Sequence, residues 1–312
     1  MLSITNLSKS FKNYKALDGL NLEIDDNEIF GFVGPNGAGK TTTMRIIAGL
    51  LVPDSGVVTI DGCNVVTEKE KIRKKIGYMP DFFGAYEYMK AHEYMEYFAS
   101  LYGIEGKKAS IRCDELLESV GLYDRRDTYV DDMSRGMKQK MCLARCLIHN
   151  PKLLILDEPA SGLDPRARFE LKEIMMSLKD MGKTVIISSH ILPELAMLTT
   201  TVGIIQNGKM ITKGSIDEIL ESLNKEVRLT IKYYGEFDKA VVMLKKNDKV
   251  SELIIEDNST TFVFDGSEKE RAQLIGEMCK EGLQVLEVVV NKENLEQLFL
   301  EITKENDEIR KV

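Results

Sequence analysis

The chain has few cysteines, no basic excess and no long apolar run, and each shortage excludes a class of protein. Its five cysteines (Cys63, Cys113, Cys142, Cys146, Cys279) are scattered through 312 residues, apart from one Cys-x-x-x-Cys pair on a helix-like stretch. That spacing fits neither a usual zinc site nor a redox motif, so free, mostly buried thiols in a reducing compartment are expected. Lysine and arginine total 42 against 50 aspartates and glutamates, a net charge of -8. No chain-wide attraction then exists for nucleic acid or for an anionic membrane surface, and no nucleic-acid partner is expected. No stretch reaches the roughly 18 apolar residues of a membrane-spanning helix. The opening Met1-Leu2-Ser3-Ile4-Thr5-Asn6 has no charged segment followed by an apolar one, so no secretory signal is expected. If the chain acts at a membrane, another polypeptide has to supply the span. Histidine is scarce as well, three in all, and His92 and His149 have no metal-like companions. They read as structural residues, and Cys142 and Cys146 as packing residues.

What is present is length and rhythm. At about 150 residues per domain, 312 residues predict two domains, each able to bury its own core. Met1 to Leu7, Leu20 to Ile24 and Glu28 to Val33 read as strands, and Lys40 to Leu50 as a helix. Short strands follow at Gly56 to Ile60 and Gly77 to Met79, then a helical lobe over about 83–150 with loop signals at Gly103 and Gly106. Ser134 starts a helix that stops near Asn150-Pro151. The apolar runs Leu153 to Leu156 and Val185 to Ile187 flank a helix from Pro165 to Met181. Such alternation predicts an α/β fold with a parallel sheet covered on both faces and ligands at the carboxyl ends of its strands. Beyond about Leu220 the order becomes β-α-β-β-α-β. Its strands are Val227 to Tyr233, Val250 to Glu256, Thr260 to Phe264 and Leu283 to Val290, and its helices Asp238 to Lys246 and Glu268 to Glu281. That is the order of a small ferredoxin-like α+β domain over 221–312, here with a last helix from Asn294 to about Lys304. From Glu221 onward the sequence has 20 acidic and 14 basic residues, leaving 30 and 28 for 1–220, so most of the acid excess belongs to the small domain.

Two motifs carry chemistry. Gly34-Pro35-Asn36-Gly37-Ala38-Gly39-Lys40-Thr41 matches G-x-x-x-x-G-K-[ST] between a buried strand and a helix. Its glycines let backbone N–H groups curl round a phosphate, and the helix adds the positive end of its dipole. Lys40 is placed for the β- and γ-phosphates, Thr41 for Mg²⁺ and Thr42 for a phosphate oxygen. Downstream, Leu153-Leu154-Ile155-Leu156-Asp157-Glu158 ends a buried strand in two carboxylates. Asp157 suits Mg²⁺, and Glu158 suits general-base attack by water.

With a third motif between these two, the chain resembles the ATP-binding subunit of ABC transporters over about residues 1–220. Met133-Ser134-Arg135-Gly136-Met137-Lys138-Gln139 is similar to the signature of that family, and Ser161-Gly162-Leu163-Asp164 to its D-loop. Ser189-His190 is similar to its switch histidine. The resemblance implies a P-loop ATPase that binds ATP and Mg²⁺ and works as a homodimer or heterodimer. Ser134 and Gly136 of one subunit then touch the γ-phosphate bound to the other, Asp164 crosses the interface, His190 contacts the γ-phosphate, and Phe11 stacks on adenine. A separate integral-membrane permease carries the substrate, with the ATPase peripheral at the cytoplasmic face. The C-terminal extension is similar to that of bacterial exporters of drugs or antibiotics, with a role in supporting the dimer or the partner complex.

Two departures from the family pattern stand out. Asp81 follows Gly77-Tyr78-Met79-Pro80 where a Gln that senses Mg²⁺ is usual, and Asp81 can still meet the metal. Arg135 and Met137 replace Gly and Gln in the signature, and Arg135 either approaches the γ-phosphate or faces solvent. Of the aromatics after Asp81, Tyr94, Tyr97 and Phe98 read as a core stripe. Phe82, Phe83, Tyr86 and Tyr88 read as a surface patch for a helix of the membrane subunit. Two other functions remain open from sequence: a soluble ABC-type ATPase acting on ribosomes or DNA, and an importer ATPase regulated through its C-terminal domain.

Overall fold

Runs with apolar side chains on both faces cannot tolerate water on either, and three of them form the centre of one sheet. Its order is Lys209–Gly214, Thr201–Gln206, Ile29–Val33, Thr184–Ser189, Leu153–Leu156, Ile76–Met79. All neighbours are parallel except the hairpin of the first two. Every residue of Ile29–Val33, Leu153–Leu156 and Thr184–Ser189 is buried, as a doubly covered parallel sheet requires. This computed structural model describes residues 1–12, 14–81, 88–223, 227–234, 237–256 and 258–291. The chain divides into two compact units, Met1–Ile216 and Asp217–Val312.

A second sheet of the larger unit is antiparallel, in the order Tyr14–Ile24, Leu2–Phe11, Ser55–Ile60, Cys63–Asn64. One core joins the two sheets. Leu17, Leu20 and Ile60 share it with Phe30, Ile155 and Ile186, and with Met44, Ile46 and Ile47 of the helix Lys40–Ile47. The strand expected from Leu20 begins at Tyr14, six residues earlier. Register shifts against Leu2–Phe11 break the alternation of inward and outward residues over this stretch, which hides the strand from its pattern.

Helices Ala91–Leu101, Lys107–Ser119 and Arg135–Leu147, which follow the strand Ile76–Met79 in the chain and precede Leu153–Leu156, pack against one another. Tyr94 is buried among them and its hydroxyl accepts a hydrogen bond from Arg145 Nη1 at 3.0 Å. Tyr97, expected in the same core stripe, is 40% exposed and meets the Phe98 ring edge-on at 5.3 Å. Three residues past Tyr94 the helix has turned some 60° short of a full circle, so Tyr97 leaves the face that Tyr94 and Phe98 share. His149 Nε2 donates to the Ile76 carbonyl at 2.8 Å and its ring stacks on Tyr102 at 4.1 Å, while burial pushes its pKa down. His92 lies 3.5 Å from Asp114 and 3.7 Å from Glu96. Both histidines are structural. Cys142 and Cys146 are buried, and the Cys146 thiol donates to the Tyr78 carbonyl at 3.2 Å.

In the smaller unit the sheet is antiparallel, in the order Val250–Glu256, Ser259–Phe264, Val227–Tyr234, Gln284–Asn291. With helices Phe237–Lys245 and Glu268–Lys280 it has the ferredoxin-like arrangement. Its core is its own: Leu229, Ile231, Tyr233, Leu244, Phe262, Phe264, Leu274 and Met278. Ser267 and Glu270 cap the second helix reciprocally. The helix expected from Asn294 to Lys304, and the aromatics Phe82, Phe83 and Tyr86, lie outside the described residues. Tyr88, from the same expected patch, is 83% exposed.

Candidate nucleotide-binding site

The strand Ile29–Val33 ends at Gly34, and the segment Gly34–Gly39 leads directly into the helix Lys40–Ile47. Gly39 takes φ +113°, and a Cβ there would lie 2.7 Å from the Ala16 carbonyl oxygen, so the turn requires glycine. Lys40 is buried, and its Nζ donates to the carbonyls of Gly34 at 2.6 Å and Pro35 at 3.2 Å. Burial pushes the ammonium pKa down, and the carboxylates of Glu158 and Asp157 draw it back up. The loop Pro35, Asn36, Gly37, Ala38 therefore encloses a cation next to a helix N-terminus, an arrangement suited to an anion.

Two strand ends bring the remaining groups to this loop. Leu153–Leu156 delivers Asp157, which is buried, and Thr184–Ser189 delivers Ser188. The Ser188 hydroxyl donates to Asp157 Oδ1 at 2.6 Å and accepts the Glu158 N–H at 3.0 Å. The Thr41 hydroxyl donates to the same Asp157 oxygen at 3.3 Å. Thr42, half-buried, follows it on the helix. Glu158 sits at φ +51°, a left-handed conformation that costs a side-chain-bearing residue about 1–2 kcal/mol. Its two carboxylate oxygens lie 3.2 and 3.0 Å from His190 Nδ1, within hydrogen-bond distance. Burial raises the Glu158 pKa above the usual glutamate value, while His190 and then Lys40 restrain the rise. The Met79 carbonyl accepts the Asp157 N–H at 2.9 Å, and Asp81 lies exposed two residues beyond the strand that Met79 ends.

Ser134, Gly136 and Asp164 form a separate group. Ser134 caps the helix Arg135–Leu147, accepting the Met137 N–H at 3.3 Å, and Asp164 caps Pro165–Asp180, accepting the Ala167 N–H at 2.8 Å. The Asp164 carboxylate is thus engaged within its own helix. A cavity of about 310 Å³ separates the two helix starts, with Ser134, Gly136 and Asp164 on its wall. Arg135 turns toward its own chain: Nη2 donates to Ser161 Oγ at 3.4 Å.

Phe11 ends its strand 45% exposed, with Lys9 Nζ 5.7 Å from its ring centroid. Tyr14 pairs with Phe11 across the hairpin, and its hydroxyl donates to the Gly37 carbonyl of the phosphate loop. Sequence reading passed over Tyr14 and Ser188. Both act through contacts with residues more than twenty positions away, and the only local signals were an aromatic three residues from Phe11 and a second serine before His190.

A strand, a phosphate loop with its lysine, and two carboxylates at the end of a neighbouring strand define a P-loop nucleoside triphosphatase. Residues 17–161 match the family model described as ABC transporter. The bacitracin transport ATP-binding protein BcrA of Bacillus licheniformis is 34% identical, over 97% of this chain and 97% of its own length. The ABC transporter ATP-binding protein NatA of Bacillus subtilis is 36% identical over 72% of this chain and 94% of its own length. A solved dimeric ATP-binding cassette in a post-hydrolysis state, bound to ADP and phosphate, superposes with a TM-score of 0.64 at 26% identity, covering 69% of this chain and 99% of that one. The chain belongs to the ABC transporter family as an ATP-binding subunit, and its activity is ATP hydrolysis. Among the described residues, no helix is long and apolar enough to cross a membrane.

Proposed function

We propose that this chain is the motor of an exporter, in which two ATPase subunits close on ATP and drive a separate integral-membrane permease at the cytoplasmic face of the membrane. The convergence of Lys40, Thr41, Asp157, Glu158 and His190 on one loop carries the reading. The near full-length match to a protein named for bacitracin transport supports export. In this mechanism the N–H groups of Gly34–Gly39 and the Lys40 ammonium hold the β- and γ-phosphates, with Thr42 on a phosphate oxygen. Glu158 takes a proton from the attacking water. His190 orients that carboxylate from one side, and Ser188 fixes its backbone from the other. The hydroxyl of Thr41 and the buried carboxylate of Asp157 are hard oxygen donors on one spot, which fits Mg²⁺, and Asp81, past the end of the neighbouring strand, would add a third such donor. When bound there, the ion neutralises phosphate charge.

Ser134 and Gly136, at the start of a helix, supply the γ-phosphate contact in trans to the other subunit, whether that is a second copy or a related chain. Phe11 offers adenine a ring face, and Asp164 shapes the dimer-facing turn through its cap. The small C-terminal unit serves assembly of the dimer or of the complex with the permease.

The test is resistance. Cells of a peptide-antibiotic-sensitive host that make this chain with its membrane subunit should survive bacitracin-like compounds, and Lys40→Ala should abolish survival while both proteins still co-purify. Undiminished resistance with Lys40→Ala would sink the motor reading.

A further inference from the structure

The signature helix meets the turn after Glu158 through a side chain that the family pattern does not supply. Arg135 occupies a position where glycine is usual, and its guanidinium lies against Ser161 and Gly162. Gly162 has φ +68°, and a Cβ there would sit 2.6 Å from Arg135 Nη1, so the guanidinium fills the space that glycine leaves. Ser161, which accepts from Arg135, in turn donates its backbone N–H to the Glu158 carbonyl at 3.1 Å. Two hydrogen bonds therefore join the arginine to the backbone of the general base. Among the described residues, no carboxylate forms an ion pair with Arg135; Asp164 Oδ1 accepts the Ala167 N–H and Glu170 pairs with Lys140 and Arg166. The guanidinium's partner is a hydroxyl, beside the open face of a glycine. The contact is exposed, so it adds little to folding.

We propose that Arg135 is a positioning residue. It fixes the turn Glu158–Ser161 relative to the start of the signature helix, so that when Ser134 and Gly136 engage one nucleotide, Glu158 of the same chain is set for the other. The inference rests on the trans-site reading above. It assigns a function to the substitution of the signature glycine: a rigid link within one chain between the surface that meets the partner's ATP and the base that acts on its own. A guanidinium suits this task because its planar fork can bond Ser161 Oγ while lying over Gly162, which a lysine ammonium cannot do as well.

A double-mutant cycle on the full chain with Mg-ATP tests it. Arg135→Ala and Ser161→Ala should each lower kcat about threefold or more, with KM for ATP and the melting temperature unchanged. The double variant should be no slower than the slower single variant, and Arg135→Lys should recover part of the loss. Losses that multiply in the double variant, or an Arg135→Ala chain with parental kcat, would overturn the link. Glu158→Gln is the control. Its silence confirms that turnover depends on Glu158, whereas its activity would remove the assignment of the base, a failure distinct from that of the link.

Discussion

Glu158 is asked to hold a left-handed backbone for the sake of its carboxylate, and replacing it should expose that cost. Ala and Gly both remove the carboxylate and its contact with His190, so the difference between Glu158→Ala and Glu158→Gly isolates the backbone. At φ +51° an alanine carries about 1–2 kcal/mol of steric strain that glycine escapes. Against this, glycine gives the unfolded chain about 0.4–1 kcal/mol of extra freedom. Glycine should therefore be the more stable variant by about 0.7 kcal/mol, the reverse of the usual order at negative φ. In a chain of this size that is about 1–3 °C in Tm. Urea unfolding followed by circular dichroism reads the difference, and steady-state ATP hydrolysis should fall by about two to four orders of magnitude in both variants. An alanine variant more stable than the glycine one would refute the strain. Retained turnover in either would refute the role of the side chain that the strain serves.

Proton uptake gives a second prediction. Because burial raises the Glu158 pKa, the base is lost to protonation at a pH above the ordinary glutamate range, and kcat/KM should fall on that acid limb. His190 lowers the same pKa, so His190→Ala should move the limb to still higher pH. A limb that stays in place or moves down would contradict the pairing. Tyr14→Phe removes the hydroxyl bond to Gly37 and should weaken nucleotide binding about 3- to 10-fold, read by titration with a fluorescent ATP analogue. Unchanged affinity would leave Tyr14 as surface decoration.

Sequence legibility followed contiguity. Lys40, Thr41, Asp157, Glu158 and His190 were readable because each sits at the end of an apolar strand or the start of a helix within one unbroken motif, and the sheet then brings those ends together. Ser188 was not, because what distinguishes it from Ser189 is which side of a fully buried strand it occupies. The helix Lys69–Lys75 escaped as well: six of its seven residues are charged, so no apolar period marks it. Asp164 shows the opposite limit. Its motif marks it for the interface, while its Oδ1 is committed to the Ala167 N–H of its own helix. Arg135 shows the same limit: it is exposed, as one of its two sequence readings had it, but its bond to Ser161 Oγ has no sequence signal.

The smaller unit closes a core of its own around Tyr233, Phe262 and Phe264, and NatA matches this chain over only 72% of its length while being spanned over 94% of itself. In engineering terms the appendage carries its own packing. Among the described residues, the side chains that form this core are different from those packed around the phosphate loop, so a substitution inside it is answered by its own neighbours. Variation therefore has somewhere to accumulate. On the assembly role proposed for this unit, a lineage of such motors can change what it assembles with there, while the surroundings of the phosphate loop stay fixed by the geometry of catalysis.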